Sequence, residues 1–150
     1  MTDGDYIYFM GEALKEAREA ASKGEVPVGA VVVLDGRIVG RGHNLKESLR
    51  DPTAHAEILA IRDAAGRLGR WRLEGSSLFV TVEPCPMCFG AMIQARVGRV
   101  VYGARDPKFG ACGSVVSLNE CKFNHIPSVE GGVMEEDAKD LLRSFFERLR

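Results

Sequence analysis

Two short segments, Ala54-His55-Ala56-Glu57 and Pro84-Cys85-Pro86-Met87-Cys88, constrain this chain more than anything else in it. Their metal-binding side chains are useful only if both segments arrive at one point, so the fold must bring two distant stretches together. His55, Cys85 and Cys88 make three ligands of the kind zinc takes. A structural zinc usually has four protein ligands, whereas a catalytic zinc keeps three and leaves the fourth position for water. Glu57, two residues from His55, can lie beside that water without ligating the ion.

Charge explains why these residue types suit the task. Two thiolates and a neutral imidazole balance Zn²⁺, giving a neutral centre that can still acidify water toward a pKa of about 7. Cys85 and Cys88 stand three apart, which puts both sulfurs on one face of a helix's first turn. There Pro86 suits an early position and the helix dipole favours thiolate. Asp51-Pro52-Thr53 marks another helix start just ahead of His55, with Ile58, Leu59, Ile61, Ala65 and Leu68 as the apolar run behind it. Two helix starts are therefore predicted to converge on one zinc per chain. Two other readings stay open: a closed site with a fourth ligand from Cys112, Cys121, His43 or His125, and a redox Cys-x-x-Cys. The redox reading leaves the His-x-Glu pair without a purpose.

At 150 residues and 45% hydrophobic content the chain fits one globular domain, residues 1–150. Its acidic start, Met1-Thr2-Asp3-Gly4-Asp5, is no secretory signal, and no apolar stretch is long enough to span a bilayer. The expectation is a cytoplasmic protein with no membrane partner, in which Cys112 and Cys121 are packed free thiols rather than a disulfide. A net charge of −1 argues against bulk capture of nucleic acid. The positive residues are nonetheless concentrated: Arg67, Arg70 and Arg72 in one cluster, Arg96, Arg99, Arg105 and Lys108 in a second, Arg143, Arg148 and Arg150 in a third. A single surface arginine is usually just solvated, but a basic rim around one pocket is compatible with a folded RNA substrate.

Periodicity supplies the framework. Ile7, Met10, Leu14, Ala17 and Ala21 recur at helical spacing across residues 6–22, and Lys23-Gly24 provides a stop. Residues 28–34 and 37–42 read as a hairpin about Asp35-Gly36. A polar loop over 45–53 precedes the His55 helix (to about 68), then come a strand at 78–82, the Cys85 helix (to about 96) and a strand at 100–103. Strand, helix, strand is the unit that makes parallel pairs. Residues 104–122 read as loop with a short helix near 114–118, followed by a strand near 127–130. A last helix over 135–149 carries Ala138, Leu141, Leu142, Phe145, Phe146 and Leu149 on one face.

His-x-Glu followed by Pro-Cys-x-x-Cys is the signature of the zinc deaminases that act on nucleobases, in which the Glu is the proton shuttle. Beyond it, Gly24-Glu25-Val26-Pro27-Val28-Gly29-Ala30, Asp106-Pro107-Lys108, Gly110-Ala111-Cys112-Gly113-Ser114, Asn124-His125 and the Phe145-Phe146 ending resemble the bacterial tRNA-specific adenosine deaminases nearly end to end. The resemblance implies a three-layer α/β/α sandwich on a mixed five-stranded sheet, cytidine deaminase-like. It also implies a homodimer lining an RNA groove, and conversion of adenosine to inosine at the wobble position of a tRNA anticodon stem-loop. By the same resemblance Glu57 is catalytic, Asn44 contacts the base or its ribose, Asp106 and Lys108 lie near the RNA backbone, and Phe145 stacks on a nucleotide or packs in the core. Phe89 and Cys112 depart from the small residues common at those positions. A free-base guanine or cytosine deaminase is the nearest rival, and the basic tail Arg148-Leu149-Arg150 favours phosphates over it. A non-catalytic RNA-binding subunit would be expected to lose Glu57.

Overall fold

The computed structural model describes residues 1–150. Helix α1 (Asp3–Ser22) starts on a reciprocal cap: the Thr2 hydroxyl accepts from the Asp5 amide, and the Asp5 carboxylate accepts from the Thr2 amide. Strands β1 (Gly29–Leu34) and β2 (Arg37–His43) form the expected hairpin. Its turn residues Asp35 and Gly36 have φ of 51° and 74°, the geometry that matches strand twist. Strands β3 (Ser77–Val82), β4 (Arg99–Ala104) and β5 (Ser128–Glu130) complete a sheet of order β2-β1-β3-β4-β5. β1 is antiparallel to both its neighbours, while β3–β4 and β4–β5 are parallel.

The strand period of two divides the core between the faces. Ala30, Val32, Leu78 and Val80 pack with residues of α3 (Ala56–Leu68) and α4 (Pro86–Gln94), whereas Val31, Val33 and Phe79 pack against α1. Helix α5 (Glu135–Arg148) joins α1 on that second side through Leu14, Ala104 and Ala138. The result is a three-layer α/β/α sandwich on a mixed five-stranded sheet. Two glycines of β2 set how closely α3 approaches: a Cβ on Gly42 or Gly40 would lie 2.5 Å from the Ala56 or Ala60 carbonyl oxygen. The start of α3 is thereby seated on the end of β2, next to Asn44.

Five local expectations need correction. The loop over 45–53 contains a short helix, α2 (Lys46–Leu49), because the buried Glu25 carboxylate accepts from the Glu47 and Ser48 amides and the Ser48 hydroxyl. The short helix of the 104–122 segment is a single 3₁₀ turn at Leu118–Glu120. Residues 114–116 are instead held in turns, with the Val115 and Val116 amides bonded to the Gly110 carbonyl. The Cys85 helix ends at Gln94 rather than near residue 96, since Arg96 takes a left-handed φ of 63°. On α5 the packed face is narrower than the apolar pattern: Phe145 is buried, but Phe146 and Leu149 are exposed. Cys121 is likewise exposed rather than packed, while Cys112 lies half-buried against the core.

Candidate active site

His55 and Cys85 are the N-cap residues of α3 and α4, one step before each helix begins. An N-cap side chain normally accepts a hydrogen bond from its own helix. Neither does so here, which frees both to point at a third group. Cys88, on the first turn of α4, completes the set. Its Sγ lies 3.4 Å and that of Cys85 3.7 Å from His55 Nδ1, and all three donor atoms fall within 4.8 Å of one another.

No fourth donor joins them. His43 is held between Glu16 (2.9 Å) and Lys23 (2.9 Å), and His125 Nε2 lies 2.7 Å from the Val97 carbonyl. Cys112 and Cys121 stand outside the group. One imidazole, two thiols and an open fourth direction fit a catalytic zinc and disfavour the closed site. The thiols are already polarised. A hydrogen bond with Cys88, with a further one from His55, draws Cys85 down to about 4, while Cys85 and burial push Cys88 up. A divalent cation binding here would displace the remaining thiol protons.

Glu57 sits in the first turn of α3, buried beside this group. Burial pushes its carboxyl up to about 7, with the charge of Cys85 adding to the rise against its own backbone amide, His55 and Cys88. A carboxyl so placed takes up and returns a proton near neutral pH.

His55, Cys85 and Glu57 border a cavity of about 430 Å³, a size suited to a small planar ligand, with Cys88 buried behind them. Val26, Val28 and Val82 give apolar walls, and Asn44 enters from the end of β2. Asn44 is largely committed: its Oδ1 accepts from the Lys46 amide at 3.2 Å and its Nδ2 donates to the Val26 carbonyl at 3.4 Å. Asp106 also borders the cavity, where its Oδ1 accepts from the Lys108 and Phe109 amides and so shapes the loop. The Lys108 side chain is exposed beyond the cavity. Phe145 lies outside it, packed edge-to-face on Phe146 at 5.4 Å, along a neighbouring hollow of about 330 Å³ that Asn44 and Lys46 also line.

Sequence reasoning missed Glu83, Lys46, Met87 and Phe109. Glu83 is the informative omission. It accepts from the Asp106, Cys112 and Ser114 amides and from the Ser114 hydroxyl, tying the whole 106–114 rim to the start of α4. The available signal was a carboxylate closing an apolar strand directly before Pro84-Cys85.

Residues 4–104 match the cytidine and deoxycytidylate deaminase zinc-binding region. The chain belongs to that family of zinc-dependent deaminases. Over 143 residues it is 52% identical to the tRNA-specific adenosine deaminase of Bacillus subtilis, covering 95% of this chain and 89% of that protein. This places the deaminase in the same family as that relative. A structure solved in studies of A-to-I editing by tRNA:A34 deaminases superposes with a TM-score of 0.87 at 48% identity, covering 90% of this chain and 99% of the other. The guanine deaminase of Nitrosomonas europaea also shares the fold, at a TM-score of 0.78 and 27% identity over 93% of this chain and 83% of that one. The deaminase is thus a zinc-dependent hydrolytic enzyme.

Proposed function

We propose that this deaminase converts the wobble adenosine of a tRNA anticodon loop to inosine, acting as one domain over residues 1–150. The carrying observation is a buried carboxyl, held near neutrality, beside a three-donor metal set that meets a base-sized cavity through His55 and Cys85. The 52% identity to the Bacillus tRNA-specific enzyme supports the choice of substrate.

His55, Cys85 and Cys88 would hold the zinc, which when bound activates water as the nucleophile. Glu57 takes a proton from the attacking water and delivers it to the ring nitrogen next to the amine-bearing carbon as the C–O bond forms. It then takes the remaining proton from the new hydroxyl and passes it to the amino group, so that the C=O bond forms as the C–N bond breaks and ammonia leaves. The valine walls exclude bulk water, and Asn44 orients the nucleoside. Lys108 contacts the backbone from the rim that Asp106 shapes, and the exposed Phe146, seated on the buried Phe145, faces a flanking nucleotide from the adjoining hollow. The working form is a cytoplasmic homodimer, a reading supported by the family resemblance and by α4, which carries Met87, Gly90 and Ala91 away from the core. No helix is long and apolar enough to cross a membrane.

The test offers the zinc-loaded enzyme an anticodon stem-loop with a wobble adenosine, beside free adenosine, guanine and cytosine. Inosine in the stem-loop with negligible turnover of the free compounds is the expected result. Efficient release of ammonia from guanine or cytosine, with the RNA unchanged, would assign the chain to the free-base enzymes.

A further inference from the structure

The segment Arg70-Trp71-Arg72, which carries the chain's single tryptophan, follows α3 at the end opposite Glu57. Gly69 ends α3 in a left-handed turn (φ 68°), and the following residues fold against the end of α4, where the Leu73 amide donates to the Ala95 carbonyl at 2.7 Å. This junction leaves Trp71 57% exposed. Arg72 lies 4.8 Å from its ring centroid and Arg96 6.0 Å. Arg96 is fixed there, its guanidinium donating to the Ile93 carbonyl at 2.8 Å. Arg70 is exposed and has neither an ion pair nor a side-chain hydrogen bond, whereas Arg72 has only the exposed Glu74 (3.1 Å), a weak surface contact. An indole is expensive to leave in water, and here two guanidinium groups lie at its ring with Arg70 next to it in the chain, a basic patch on a chain of net charge −1.

Aromatic rings with guanidinium groups beside them stack an unpaired base and hold its flanking phosphates. The patch and Glu57 stand at opposite ends of α3, whose 13 residues span about 20 Å. A ligand of the patch is therefore a part of the substrate other than the nucleotide in the cavity. We propose that Trp71, Arg70, Arg72 and Arg96 form a second RNA-binding surface, which engages the tRNA outside its anticodon stem-loop. This rests on the tRNA reading above.

Trp71 is the sole tryptophan, so its fluorescence reports on this patch alone. The zinc-loaded enzyme is titrated with full-length tRNA and with the isolated stem-loop, both carrying a wobble adenosine, while inosine formation is followed separately. Full-length tRNA should quench Trp71 emission; the stem-loop should be deaminated without quenching it. The double variant Arg70→Ala/Arg72→Ala should weaken full-length tRNA binding about tenfold and lower the slope of log affinity against log salt by about 1 per arginine. Its turnover of the stem-loop should be unchanged. Emission indifferent to saturating full-length tRNA, or equal losses on both RNAs, would overturn the proposal. So would a Trp71→Ala enzyme that sediments as a monomer where the parent is a dimer, because the patch would then be a protein contact. If neither RNA is deaminated, the substrate reading fails, while quenching by tRNA still decides the patch on its own.

Discussion

Glu57 and Glu83 are equally hidden from solvent, at 4% and 3% exposure, yet their carboxyls are driven in opposite directions. Burial raises both. For Glu83 the rise is outweighed by the Ser114 hydroxyl and the Asp106, Ser114 and Cys112 amides, which hold it below the ordinary carboxylate range. Glu25 follows Glu83: burial opposes, but Ser48 and Glu47 win. Glu57 has no such ring of donors, so burial wins and the group is poised near 7. The difference separates scaffold from chemistry. A buried carboxylate saturated by amides is a permanent anion that fastens loops, whereas one left short of donors is available to exchange protons.

The contrast can be broken at several places. The largest effect is expected from Cys88→Ala, which should abolish zinc binding and lower turnover on the order of 10³-fold or more, read by metal analysis and inosine formation. Retained stoichiometric zinc in that variant would mean another ligand set. Next, Glu57→Gln should keep about one zinc per chain yet lose at least about 10²-fold in rate. Zinc loss here would make Glu57 a ligand rather than a shuttle.

Glu83→Gln reverses the pattern. Gln offers one acceptor oxygen and an unwanted donor to the 106–114 amides, so stability should drop by about 3 kcal/mol and Tm by about 8 °C, with zinc retained. Unchanged thermal unfolding would remove Glu83 from the role of clamp.

The signs of titration give a subtler test. Glu25 and Glu83 have depressed folded-state values, so their stabilisation is present above the unfolded carboxyl value of about 4.3 and disappears as acid protonates the folded form. Glu57 has a raised value, so in chelator-treated enzyme its contribution is full below that unfolded value and lost as pH rises through about 7. Urea unfolding of the metal-free protein should weaken between these pH values, and Glu57→Gln should flatten that decline. A parallel slope in parent and variant would contradict it. Smallest of all, Cys121→Ala should leave zinc content and stability within about 0.5 kcal/mol of the parent, and Cys112→Ala should leave zinc unchanged.

The sequence by itself determined the donor types and the elements that carry them. Ligand spacing of i and i+3, apolar residues at helical period and β-branched runs are local patterns, and local backbone geometry turns them into helices and strands. His-x-Glu and Cys-x-x-Cys were legible for that reason. The site's shape was not. Glu25 reaches Ser48 and Glu83 reaches Ser114 across long stretches of chain, and no periodic signal marks such a bond. Whether a carboxyl meets a ring of amides or an apolar wall depends on which loops arrive beside it, so only the tertiary structure could decide which buried glutamate is a clamp and which holds the mobile proton. It likewise decided that His43, His125, Cys112 and Cys121 stay away from the donor set, because exclusion from a site is a property of the assembled fold.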